Sequence, residues 1–92
     1  MKTKAISELE KIFKILGNKQ RLTILELLRS RSYSVSEIVD ILNMEQSAVS
    51  HQLRVLREAQ LVQAEKRGRE VLYYLSDSHI LILLDNALKH VD

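Results

Sequence analysis

Residues 34–75 run SVSEIVDILN MEQSAVSHQL RVLREAQLVQ AEKRGREVLY YL, and a change of hydrophobic period inside them decides the fold. Val35, Ile38, Val39 and Leu42 recur at helical spacing behind Ser34 or Ser36, either of which can cap a short helix. Asn43 is a natural left-handed terminator for that helix. Glu45, Gln46 and Ser47 open the next one, with Val49, Leu53 and Leu56 facing inward. After Leu61 the period falls from about 3.6 to 2. Leu61 to Glu65 is extended chain, Lys66-Arg67-Gly68-Arg69 turns it, and Val71, Tyr73 and Leu75 alternate with Leu72, Tyr74 and Ser76. The result is a β-hairpin with Gly68 at its tip.

Outward from this segment the chain is helical. Ile6, Leu9, Phe13 and Leu16 recur at three- and four-residue steps, in a helix stopped by Gly17 as a C′ residue. Asn18 caps a second helix with Leu22, Ile24, Leu25 and Leu28 as its buried stripe, and this helix runs out near Ser30–Tyr33. Ser76 or Asp77 caps a last helix rich in Ile and Leu. The order α-α-α-α-β-β-α, mainly α with a small hairpin wing, is the winged helix-turn-helix plan. With 92 residues, no proline, two glycines and no repeat or linker, residues 1–92 are expected to form a single domain. So short a chain has a thin core that a partner subunit would help to complete.

The net charge of +2 is unevenly laid out. Residues 1–33 hold eight Lys/Arg against three Glu, residues 34–50 hold only acids, and residues 51–70 hold five Lys/Arg against three Glu. A modest basic bias permits nucleic acid without demanding it. The order of the elements says more. The second helix of such a pair fits the major groove, and its first-turn side chains reach base edges. Gln46, Ser47, Ser50 and His51 supply hydrogen-bonding groups there. Arg54 and Arg57 lie farther along, where phosphates are the expected contact. Lys66, Arg67 and Arg69 give the wing a grip on backbone or minor groove. Taken singly these residues are ordinary caps and solvated charges. Their conjunction with a basic hairpin points to double-stranded DNA.

The last helix carries a second constellation: Asp77, His79 and His90. The two histidines share one helix face to within roughly 20° but stand about 16.5 Å apart along the axis. One ion, with Zn–N bonds of about 2.0–2.1 Å, cannot be held by both histidines of one chain. In two antiparallel copies, His79 of one subunit meets His90 of the other. Ile80, Leu83, Leu84, Ala87, Leu88 and Val91 supply apolar surface for that pairing, which implies two equivalent sites across a twofold homodimer. Imidazole plus carboxylate suits Zn²⁺, with Co²⁺ as its mimic.

The pattern Ser47-x-x-Ser50-His51-x-Leu53-x-x-Leu56-Arg57-x-Ala59-x-Leu61-Val62, followed by Arg67-Gly68-Arg69 and Tyr73-Tyr74-Leu75, resembles the ArsR/SmtB family of bacterial metal-sensing repressors. The resemblance spans roughly Leu9 to His90. It implies a homodimeric repressor that leaves its operator when metal binds, with an interface built from the first and last helices (Leu9, Phe13, Ile80, Leu83, Leu84 and Leu88 here). It also implies a last-helix metal site of the form Asp-x-His-x10-His, then His or Glu after two further residues. Asp77, His79 and His90 fill the first three places, and the fourth falls one residue past Asp92. Either the natural chain is longer, or Asp92 or water takes that place. The family's other site needs cysteines on the third helix, and Ser34-Val35-Ser36 offers none, which argues against cadmium, lead or arsenite.

Other classes fare worse. An absence of cysteine removes disulfides, thiolate metal sites and a Cys nucleophile, and it suits a cytoplasmic protein. The longest aliphatic run, Ile80–Leu84, is about a quarter of a bilayer span, so no membrane association is expected, and charged residues interrupt the N-terminal stretch where a signal peptide would be apolar. An enzyme is not expected, because Ser47, Ser50 and His51 lack an orienting acid and no phosphate-cradling loop is present. Two rivals remain: a winged-helix repressor with a degenerate metal site, constitutive or answering another signal, and a protein-interaction module. A twofold dimer that does bind DNA should recognise an imperfect inverted repeat.

Overall fold

The computed structural model describes residues 2–92. Its elements run α1 (Thr3–Leu16), α2 (Lys19–Leu28), β1 (Tyr33–Ser34), α3 (Val35–Leu42), α4 (Gln46–Glu58), β2 (Val62–Arg67), β3 (Glu70–Leu75) and α5 (Ser78–Val91). The mainly helical winged helix-turn-helix expectation holds, with one addition. The second helix is followed by a two-residue strand, β1, rather than by plain loop. It pairs antiparallel with β3, Tyr33 opposite Tyr73 and Ser34 opposite Leu72, giving a three-stranded sheet in the order β1-β3-β2.

Local chemistry explains most boundaries. Asn18 caps α2 by accepting from the Arg21 N–H at 3.0 Å. Ser34 caps α3, and Glu37 reaches back to the Ser34 N–H at 2.9 Å in a reciprocal capping box. Asn43 ends α3 in the left-handed region (φ 52°), as expected. Gln60 does the same after α4 at φ 62°, and the N–H of Leu61 reaches the Leu56 carbonyl at 2.9 Å. That is a Schellman turn closed by two buried leucines. Gly17 departs from expectation. Its φ of −78° is open to any residue, so no left-handed turn stops α1 there. The glycine matters instead because a Cβ would sit 3.3 Å from the Phe13 carbonyl oxygen.

The hairpin is tighter than the four-residue turn inferred from sequence. Lys66 and Arg67 belong to β2, Arg67 pairs with Glu70, and only Gly68 and Arg69 form the bend. Gly68 has φ 61° while Arg69 is not in the positive-φ region, the pattern of a type II′ turn.

Ile24, Leu25 and Leu28 of α2, Ile38 of α3, and Val49, Leu53 and Leu56 of α4 meet Leu61, Val62 and Leu84 in one core. Leu22 is not part of it. At 41% exposed it lies on the rim of an apolar groove shared with Leu84, Ala87, Leu88 and Val91 of α5. α1 also faces differently from the simplest reading of its pattern. Leu16 is buried and Ile12 and Ile15 pack on the core, whereas Ile6, Leu9 and Phe13 point away from it. Among the described residues, no helix is long and apolar enough to cross a membrane.

Candidate nucleic-acid interface and metal centre

Helical periodicity divides α4 cleanly. Val49, Gln52, Leu53 and Leu56 are buried, while Gln46, Ser47, Ser50, His51, Arg54 and Arg57 are all exposed. The wing cations Lys66, Arg67 and Arg69 are exposed as well. The outer face of α4 is flanked by two clefts. Gln46 shares one with Arg69 at the wing tip and with Ser36 and Asp40 of α3. Ser50, Arg54 and Arg57 share the other with Tyr73 of β3, a residue the sequence reading did not single out for this surface. An exposed helix face bordered by clefts, with a cationic hairpin beside it, matches what a duplex groove and its phosphate walls require.

The cations there are not equivalent. Arg67 leans 3.4 Å from the Glu65 carboxylate, which already shares its charge. Arg54, Arg57, Lys66 and Arg69 form no ion pair among the described residues, so their charge is free for a phosphate. Glu45, at the mouth of α4, makes no side-chain cap bond and stays exposed.

At the start of α5, Asp77 Oδ1 accepts from the backbone N–H groups of His79 (2.8 Å) and Ile80 (3.4 Å). The His79 Nδ1 lies 3.3 Å from the same oxygen, and both side chains are well exposed. His90 occupies the last turn, also exposed. Within one chain, then, two donors are together and the third is at the opposite end of the helix. Among the described residues no three ligand-type side chains converge. The donor types, two imidazoles and a carboxylate, are of the kind a zinc-like ion takes.

The residues inferred for pairing between subunits divide into two groups. Leu9 (49% exposed), Phe13 (54%) and Leu83 (37%) stand on the surface beside Ile6 and Ile82. Leu84 is a correction, since at 7% exposed it belongs to the chain's own core. Ile80 packs against that core and Leu88 is half-buried, because α5 must first cover the α2–β3 side of its own chain. Arg29 at the end of α2 pairs with both Glu26 and Asp85, tying α5 down by charge.

Sequence reasoning also missed a polar group inside α4. Gln52 is only 7% exposed and is held by Arg21 and Gln20 of α2.

Comparison with known proteins agrees with this architecture. The family described as "Bacterial regulatory protein, arsR family" matches residues 18–64. The chain is 41% identical over 88 residues to the HTH-type transcriptional regulator NmtR of Mycobacterium tuberculosis, covering 96% of this chain and 73% of that protein. It is 32% identical over 84 residues to the transcriptional repressor SmtB homolog of Synechocystis, covering 91% of this chain and 64% of that one. In three dimensions it matches the solution structure of a homodimeric winged helix-turn-helix DNA-binding domain from Mycobacterium bovis. The TM-score is 0.89 at 25% identity, covering 96% of this chain and 82% of the other. These are regulators rather than enzymes, and the exposed α4 face, its wing and the matched residues together make this chain a transcriptional regulator belonging to the ArsR family.

Proposed function

We propose that residues 1–92 act as one unit that represses transcription by binding an imperfect inverted-repeat operator as a homodimer, and that zinc or cobalt releases it. The observation that carries the DNA-binding half is the α4 face. All six residues inferred to read or grip DNA from that helix are exposed on the side opposite its buried stripe, next to an exposed cationic wing. Gln46, Ser47, Ser50 and His51 read base edges, Arg54 and Arg57 grip phosphates, and Lys66, Arg67 and Arg69 hold the flanking backbone. Homodimerisation is supported by the uncovered apolar residues of α1 and α5 and by the homodimeric state of the M. bovis relative.

For the metal half, Asp77 and His79 of one subunit and His90 of the other would hold the ion at two equivalent sites, with Asp92 or a residue beyond it as the fourth donor. The metal would supply a cross-link between the two α5 helices. Asp77 contributes an orienting effect of its own: its cap bonds fix the carboxylate beside His79 before any ligand arrives. A ligand releases DNA only if it binds the non-DNA arrangement of subunits better, so metal and operator must weaken each other. A coupling of about 1–3 kcal/mol corresponds to roughly 5–150-fold.

The test is fluorescence anisotropy of a labelled operator with and without zinc. His90→Ala should bind operator as the wild type does and lose the zinc response. Release of that variant at wild-type zinc concentrations refutes the site. A wild type indifferent to zinc favours the second reading, a winged-helix repressor answering no metal. That reading is motivated by the separation of His90 from the other two donors within the chain.

A further inference from the structure

We propose that Arg21 is a positioning residue that fixes the rotation of α4 about its own axis and ties that rotation to α1. The contacts are specific. Arg21 Nε donates to Gln52 Oε1 at 2.8 Å, and another guanidinium nitrogen donates to the carbonyl of Ile15, in the last turn of α1, at 3.3 Å. Gln52 Nε2 in turn donates to Gln20 Oε1 at 2.8 Å. Chemistry settles the orientation of the Gln52 amide. Arginine has donors only, so the amide oxygen must face it and the amide nitrogen must face Gln20.

The remaining contacts of α4 with the core come from Val49, Leu53 and Leu56, whose packing is non-directional and tolerates small rotations. A hydrogen bond does not, since it weakens steeply as its angle closes. Gln52 is nine-tenths buried, so breaking its bonds strands polar atoms away from water. The arginine bond is charge-assisted and correspondingly stronger than a neutral one. Side chains of a helix reach about 6 Å from its axis, so a 10° rotation displaces their tips by about 1 Å. That is enough to spoil a hydrogen bond from Ser50 or His51 to a base edge.

The Ile15 bond extends the argument. α1 carries the uncovered Leu9 and Phe13, the residues assigned above to the contact between subunits. One guanidinium thus joins the helix that sets subunit spacing to the helix that reads DNA. The inference rests on the DNA-reading function proposed above. It adds that discrimination between sequences, and between half-site spacings, passes through Arg21 and Gln52, while bulk affinity does not.

The experiment starts from the tightest duplex that the wild-type chain selects from a random-sequence pool. Affinities are then measured for that duplex, for versions with one base pair added or removed between half-sites, and for a random duplex, with thermal unfolding recorded alongside. Gln52→Leu should lose about tenfold on the selected duplex, the value of one good base contact, and stay within about twofold on the random one. Gln52→Glu, which keeps the acceptor for Arg21, should recover most of the loss. Arg21→Lys, whose single ammonium replaces a planar fork, should flatten the preference for the native spacing. An unchanged ratio of selected to random affinity in a folded Gln52→Leu protein overturns the proposal. If that variant does not fold, unaltered spacing preference in Arg21→Lys overturns it instead. A wild type that enriches no sequence refutes DNA reading itself, and this role with it, whereas enrichment followed by indifferent variants refutes this role alone.

Discussion

Phe13 and Leu84 lie on the two helices assigned to subunit pairing, yet the structure gives them opposite consequences on truncation. Phe13 is 54% exposed, which leaves about 100 Å² of a ring that ordinarily buries 150–250 Å². Covering about 80 Å² more than alanine would, at 25 cal/mol per Å², is worth about 2 kcal/mol. A twofold axis places two such rings in each dimer, so Phe13→Ala removes up to about 4 kcal/mol, or roughly a thousandfold in dimer dissociation constant. Leu84, 7% exposed in its own core, should instead cost about 2–5 kcal/mol of folding stability on truncation to alanine. Sedimentation equilibrium over a wide concentration range gives the first quantity. Melting at concentrations where both proteins are monomeric gives the second without contribution from mass action. A Phe13→Ala protein that dimerises within about fivefold of wild type removes the ring from the interface. One that loses as much monomer stability as Leu84→Ala places Phe13 in the fold instead.

Two further outcomes follow from the charges. Arg57→Ala, two copies to a dimer, should make the slope of log affinity against log salt shallower by about 1.8, whereas Arg67→Ala should change it less because Glu65 already shares that guanidinium. A larger effect at Arg67 contradicts the assignment. The Glu37 carboxyl is held below its usual 4.5, chiefly by the Ser34 N–H and then by Arg31. A lowered folded pKa gives stability that is present above the unfolded value and lost as pH falls through the folded one. The melting difference between wild type and Glu37→Gln should therefore be at its full size well above 4.5, narrow as pH approaches it and close only below it, in melts recorded across the acid range. A gap that closes above that value is inconsistent with the capping box as its source.

How far sequence reaches depends on whether an interaction is local. The Asn18, Ser34 and Asp77 caps and the Asn43 turn involve neighbours two to five residues away, and the residue types name them in advance. The strand β1 has no such signal. Two residues cannot show a period, and the partner that makes them a strand, Tyr73 with Leu72, lies far along the chain. α1 is ambiguous for another reason. Ile6, Leu9, Phe13 and Leu16 share a spacing, but so do Ile12, Ile15 and Leu16, and periodicity alone does not say which stripe meets the chain's own core. The exposed residues of the α4 face were legible because its buried stripe is apolar and strictly spaced. Gln52 interrupts that stripe, and what justifies it, Arg21, is 31 positions distant. The same holds for Arg29 with Asp85, an ion pair that only the closed fold brings together.

Ser34 belongs to two structures at once. Its backbone pairs with Leu72, midway along the hairpin, and its hydroxyl accepts from Glu37 N–H to start α3. The hairpin is thus riveted midway along its length to the start of α3, the helix that precedes α4, instead of being held at its base alone. A wing anchored this way acts as one jaw of a caliper whose opening is set during folding. Little ordering entropy remains to be lost when DNA arrives, which favours affinity. The same stiffness selects against duplexes whose groove width does not match that opening, so part of the sequence preference should follow DNA shape at positions that no side chain touches.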